Sequence, residues 1–147
     1  KLGIGERVYV ASPDYVAARR APEVPEDLAS HDCVVAGPAR VVTWAFERDG
    51  AAHAVAVVAR YAVSSVELAH RAALAGHGVT VLPAFLCERD LAAKKLVRVL
   101  ADWSPGEVLV HLVYPSHRHL SARGRAFVDL VVERLPSFPS HGAASAR

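Results

Sequence analysis

An α/β fold is what this sequence predicts, and three stretches carry that expectation. Residues 64–83 (SSVELAHRAALAGHGVTVLP) run from a helix-start signal through a glycine turn to a short apolar strand and a second helix start. Helix and strand alternating at such short range make a parallel α/β unit. Val42, Trp44 and Phe46 alternate along a segment ending at Asp49-Gly50, a strong short-range hairpin signal. Residues 108–114 are apolar on both faces, with Val108, Val110 and Leu112 on one and Leu109 and Val113 on the other. That is the pattern of a strand buried on both sides.

Each element follows from local chemistry. Val8 and Val10 alternate with Arg7 and Tyr9, which predicts a half-buried strand. Ser12 is an N-cap and Pro13 a first-turn proline for a helix reaching about Arg20. A proline-rich link (21–25) and a short helical turn (26–30) precede an apolar strand, Cys33–Ala36, ended by Gly37-Pro38. The hairpin partner is expected at 52–58, with 60–63 as a separate short strand. Ser64 stands three residues before Glu67, the spacing of a capping box, so Ser64 is read as the cap of the next helix. Val66, Ala69, Ala73 and Leu74 recur near helical spacing, and Gly76 suits a left-handed stop. Val79–Leu82 reads as a short buried strand, Pro83 as the first turn of a helix to about residue 90, and Leu96–Leu100 as an edge strand. A final helix is expected over 121–135, its apolar stripe made by Phe127, Leu130, Val131 and Leu135. Pro136 stops it, and 136–147 read as a disordered tail.

The chain has 147 residues, enough for one domain with a real core, and is 52% hydrophobic and 22% charged. No apolar run approaches the roughly 20 residues that a membrane helix needs. A net charge of +2 is too small to argue for nucleic acid, and neither a basic stripe nor a helix-turn-helix is visible. Cys33 and Cys87 are isolated, which suits a reducing cytoplasm.

Seven stretches in order resemble the effector-binding domain of LysR-type transcriptional regulators. They are Arg7–Tyr15, Pro25–Cys33, Trp44–Phe46, Ser64–Pro83, Leu96–Leu100, His111–Ser116 and Ser121–Leu130, together covering about residues 7–135. The resemblance implies a type 2 periplasmic-binding-protein-like fold of two α/β subdomains joined by two crossing strands. On that reading 1–11 is the first crossing strand, 12–107 the complete second subdomain, and 108–135 the returning strand and helix of an incomplete first subdomain. The lack of any methionine and the position of the first match make a fragment the expectation. The family's winged helix-turn-helix and most of its first subdomain would then precede Lys1, and DNA would be contacted only through that missing part. The resemblance further implies a cytoplasmic protein, a small-molecule effector held between subdomains, and homo-oligomers formed through the effector domain.

Three helices are expected to begin directly after strands, at Ser12-Pro13, Ser64-Ser65 and Pro83-Ala84. Collected at one sheet edge, such helix starts offer free N–H groups and positive dipole ends to an anion. A small carboxylate is therefore the expected effector, with Ser12, Ser64, Ser65, Val66, Pro83 and Phe85 as candidate contacts. Ser12 and Ser64 have capping as their competing role, each contributing about 1 kcal/mol to its helix. Ser65, not needed as a cap, is the better contact, and Pro83 and Phe85 would form an apolar wall or simply a helix start and core.

Other chemistry finds little footing. His117 and His119 have no third ligand at useful spacing, so no metal is expected. His31-Asp32-Cys33 are contiguous, but Cys33 opens an apolar strand and reads as buried and inert. His77 between glycines is a turn residue, and Trp44 and Trp103 are core or interface anchors, with core the favoured reading. No nucleophile elbow, P-loop or dinucleotide fingerprint occurs, so neither catalytic residues nor a cofactor are predicted. A solute-binding protein of a transport system shares the two-lobed architecture and is the alternative; upstream sequence would separate the two.

Overall fold

The structure is a computed structural model, and it describes residues 3–110 and 121–134. The chain divides into two compact units, one spanning Arg7–Gly106 and the other made of the chain's first six residues with everything from Glu107 onward.

In chain order the elements of the larger unit begin with strand β1 (Gly3–Ala11), whose first four residues belong to the other unit, and helix α1 (Pro13–Arg19). A 3-10 turn (Pro25–Ser30) leads to β2 (Cys33–Ala36), β3 (Val41–Arg48) and β4 (Ala51–Val63). Then come α2 (Val66–Leu74), β5 (Thr80–Pro83), α3 (Ala84–Ala92) and β6 (Val97–Arg98). The sheet order is β3-β4-β2 and β5-β1-β6, with a parallel bridge between Cys33 and Val79 joining the two halves. β4, β2 and β5 run parallel, so the predicted parallel unit holds, with β2 lying between the strands that α2 connects. β1 runs antiparallel to β5 and β6.

Each face of this sheet has its own core. Tyr9, Ala11, Val35, Trp44, Phe46, Val57 and Ala59 pack on one side with Tyr15 and Leu28, while Val8, Val10, Val34 and Leu82 meet Ala69, Ala73 and Cys87 of α2 and α3 on the other. Tyr9 stacks on Phe46 with centroids 4.7 Å apart and donates to the Ala45 carbonyl at 2.6 Å. β1 is therefore buried on both faces rather than half-buried, because it is a central strand between two layers. Trp44 is buried, and Trp103 packs partly buried against the same core.

The hairpin forms as expected. Arg48 pairs with Ala51 around Asp49 and Gly50, both at positive φ (53° and 76°), the backbone of a type I′ turn. The separate strands expected at 52–58 and 60–63 are one 13-residue strand. β4 exchanges partners instead of breaking: up to Val58 it pairs antiparallel with β3, and from Ala59 it pairs parallel with β2. The edge strand of 96–100 shrinks to Val97–Arg98, with Leu100 at positive φ turning the chain away.

In the other unit, Gly3–Glu6 of β1 pair antiparallel with β7 (Glu107–Val110), and Ser121 caps α4 (Ala122–Arg134) by accepting from the Gly124 N–H at 3.1 Å. Phe127 and Leu130 are exposed, and Val131 is half-buried. Residues 111–114 of the predicted strand, Leu135, the 136–147 tail and the His117/His119 pair lie outside the described residues. Among the described residues no helix is long and apolar enough to cross a membrane.

Candidate functional site

The parallel crossover decides which helix starts meet. α2 begins where β4 ends, and α3 begins where β5 ends. Because these strands are parallel, Ser64, Ser65, Val66, Pro83 and Phe85 gather at one edge of the sheet. Ser12 does not join them. β1 is antiparallel to β5, pairing Val10 with Thr80 and Arg7 with Pro83, so its C-terminal end points to the opposite edge. The expectation that three helix starts share an edge is thus corrected to two, for a reason of strand direction.

Ser12 is buried, and its Oγ accepts from the Tyr15 N–H at 3.1 Å. It lies beside Gly76 at the far end of α2: a Cβ on Gly76 would come within 3.4 Å of Ser12 Oγ. Its role is that of the predicted cap.

The capping box is also corrected. Ser65, in extended conformation, is the true N-cap of α2, its Oγ accepting from the Leu68 N–H at 3.2 Å. β4 continues to Val63, which moves the helix start one residue later than the Ser64–Glu67 spacing suggested. Ser64 is left exposed with its hydroxyl free of the capping role, and Val66, the first helical residue, is 38% exposed. Glu67 sits at the second helical position, where its own N–H and the Ser65 hydroxyl hold its carboxyl below the usual range. A side-chain carboxylate thus already stands at the start of α2, where the dipole favours negative charge.

α3 differs. Pro83 ends β5 and is the N-cap residue rather than the first helical one, with φ −56° and ψ 131°. A proline has no side-chain acceptor to offer, so α3 opens without a side-chain cap, and no acidic residue occupies its first turn. Phe85 is 47% exposed on that first turn. Opposite Pro83 in the sheet stands Arg7, whose guanidinium donates to the Pro105 carbonyl while its Nε is buried without a partner among the described residues. A cation in register with Pro83 is the feature sequence reasoning missed, since only strand pairing brings residues 76 positions apart together.

The thiols offer no nucleophile. Burial pushes Cys33 and Cys87 up to about 12, and Cys33 Sγ faces the Leu28 and His31 carbonyls, not the His31 ring. His77, in the turn between Gly76 and Gly78, makes a tilted ring contact with Tyr61, centroids 5.3 Å apart. No group of three metal-ligating side chains is found among the described residues.

The comparisons with known proteins agree on one family. The LysR substrate binding domain model matches residues 1–136. The transcriptional regulator PtxR of Pseudomonas aeruginosa is 35% identical over 99% of this chain and 47% of its own length. CrgA of Neisseria meningitidis is 32% identical over 86% of the chain and 42% of its own length. The chain therefore spans about half the length of the curated relatives it matches. Among solved structures, the full-length virulence activator AphB of Vibrio cholerae superposes with a TM-score of 0.80 at 26% identity, covering 92% of this chain and 47% of that one. The CrgA regulatory domain gives 0.74 at 30% identity over 92% of this chain and 67% of that one. These relatives are regulators of transcription rather than enzymes, and their fold is the type 2 periplasmic-binding-like α/β architecture. The chain belongs to the LysR substrate binding domain family, the effector-binding domain of LysR-type transcriptional regulators.

Proposed function

We propose that this chain senses a small organic anion, in the first place a carboxylate, for a cytoplasmic LysR-type regulator, and that the ligand sits at the edge where α2 and α3 begin. The carrying observation is the convergence there of two helix N-termini with Arg7 in register with Pro83. Oriented N–H groups and a guanidinium are the chemistry that recognises a carboxylate. Ser64 supplies a hydroxyl, Ser65 holds the start of α2, and Val66, Pro83 and Phe85 form the apolar rim. Ser12, on the opposite edge, is left to capping.

In the parent regulator, a ligand that binds one arrangement of the subdomains better than another shifts the population toward it. The regulator would act as a homo-oligomer built through this domain, and its DNA contacts would come from outside the 147 residues. The solute-binding alternative shares the architecture, but the relatives above are regulators, which favours the first reading. A thermal-shift screen of the chain and of its longer parent against small carboxylates and aromatic acids tests the proposal. A ligand at 100 times its Kd adds about 2.7 kcal/mol of stability; no shift with any acid, in either protein, removes the anion reading.

A further inference from the structure

Residues 100–106, the last of the larger unit, carry strain at one end and orphaned donors along their length. The chain is anchored just before them by Val99, whose N–H donates to the Tyr9 carbonyl at 3.0 Å. It then turns at Leu100 with φ 51° and again at Gly106 with φ 77°. A glycine adopts this left-handed conformation freely, whereas the Cβ of a leucine crowds the following carbonyl. Leu100 is nonetheless buried, so its side chain is committed to the core while its backbone is strained.

Two donors under this segment have lost water without replacement. Trp103 Nε1 and Arg7 Nε are both buried with no hydrogen-bond partner among the described residues. The Trp103 ring is closed in by Phe46 (centroids 6.4 Å apart), His53 (5.0 Å) and the Arg48 guanidinium (5.1 Å to the centroid). Arg7 donates through another of its nitrogens to the Pro105 carbonyl. Each orphaned N–H disfavours the arrangement that buries it.

Few bonds oppose these terms. Glu47 and Ser104 exchange N–H···O bonds of 2.8 Å, and Arg7 holds Pro105. The bonds from Trp103 N–H to the Leu100 carbonyl (2.9 Å) and from Gly106 N–H to Ser104 Oγ (3.1 Å) lie within the segment and travel with it. Ala101, Asp102 and Ser104 are exposed, so water reaches the segment from outside.

We propose that residues 100–106 are a strap that opens as one piece, pivoting at Leu100 and Gly106. Opening breaks the Glu47–Ser104 bridge and the Arg7–Pro105 bond, lets Leu100 relax to negative φ, and returns the Trp103 and Arg7 donors to water. The β3–β4 ladder stays paired. Such an outlier-bearing segment belongs to the low-stability end of a fold, where moving parts are found. Opening also frees the Arg7 guanidinium in register with Pro83; that consequence rests on the carboxylate reading above, whereas the opening itself does not.

Amide hydrogen exchange on the full chain without ligand, corrected for intrinsic rates, tests the strap. The Glu47 and Ser104 amides should share one opening equilibrium and exchange several-fold faster than those of Trp44 and Phe46, which alternate to the β4 side of the same strand. Equal protection at all four positions overturns the proposal. A second arm replaces Trp103 by 3-benzothienylalanine, an isostere with sulfur where the indole has its N–H. The open state then loses a hydrated donor and the closed state loses no bond, so exchange at Glu47 and Ser104 should slow several-fold. Unchanged or faster exchange contradicts the strap.

Discussion

Ser12 stands against Gly76 at the C-terminal end of α2, a Cβ on the glycine coming 3.4 Å from the serine Oγ. Ser65 caps the other end of the same nine-residue helix, about 14 Å away at 1.5 Å per residue. Two serines that look equivalent in sequence therefore serve opposite edges of the sheet. Ser12→Ala should lower stability by about 1 kcal/mol through loss of the Tyr15 cap bond while leaving any carboxylate response intact. Thermal unfolding with and without ligand separates the two effects.

Ser64 and Ser65 should divide differently. Ser65→Ala removes the acceptor for the Leu68 N–H and should cost about 1 kcal/mol together with ligand response. Ser64→Ala, at an exposed position that caps nothing, should leave stability within about 0.5 kcal/mol and reduce ligand response alone. A Ser64→Ala variant with an undiminished response takes Ser64 out of the site.

Glu67 places a carboxylate at the start of α2, where it competes with an incoming anion. Glu67→Gln should tighten carboxylate binding several-fold at low salt, and the gain should shrink as ionic strength rises. Titration calorimetry at two salt concentrations measures this; weaker binding in the variant would instead make Glu67 a ligand contact.

Two glycines at positive φ should respond unequally to alanine. At Gly78 (φ 141°) a Cβ would lie 2.1 Å from the Asp32 carbonyl oxygen, so Gly78→Ala should yield no soluble folded protein. At Gly50 (φ 76°) nothing lies within 4 Å, so Gly50→Ala should cost only the left-handed backbone penalty, about 1–2 kcal/mol. Soluble yield and melting temperature distinguish the cases.

Cys33 and Cys87 are fully buried and, through burial, titrate only near 12. A thiol-directed disulfide reagent should leave both untouched in the native chain from pH 7 to 9 and label both in denaturant. Fast labelling of either cysteine in the folded state would contradict the packing of the corresponding core.

What the sequence made legible was local. The Ser12 cap, β2, the alternating Trp44 and Phe46 and the Asp49-Gly50 turn each rest on neighbours within a few residues, and all stand in the structure. The capping box failed narrowly: two adjacent serines both fit, and the choice depended on how far β4 runs before the helix. The break expected near Ala59 failed because a strand can exchange one partner for another without leaving the extended state. Nor could alternation reveal that Tyr9 is buried, since the second layer over β1 comes from residues 44, 46 and 57. The candidate site was half legible. Helix starts are written in serines and prolines, but which of them share an edge depends on strand direction, and Arg7 joins Pro83 only through the β1–β5 register.

The measurement that reaches the central claim most directly is a two-dimensional amide NMR titration of the chain with a carboxylate that stabilises it. The account predicts shifts concentrated at Ser64–Glu67 and Ala84–Leu86, with Asp14–Val16 unmoved. Shifts centred on Ser12 and the start of α1, or scattered without a focus, would contradict it.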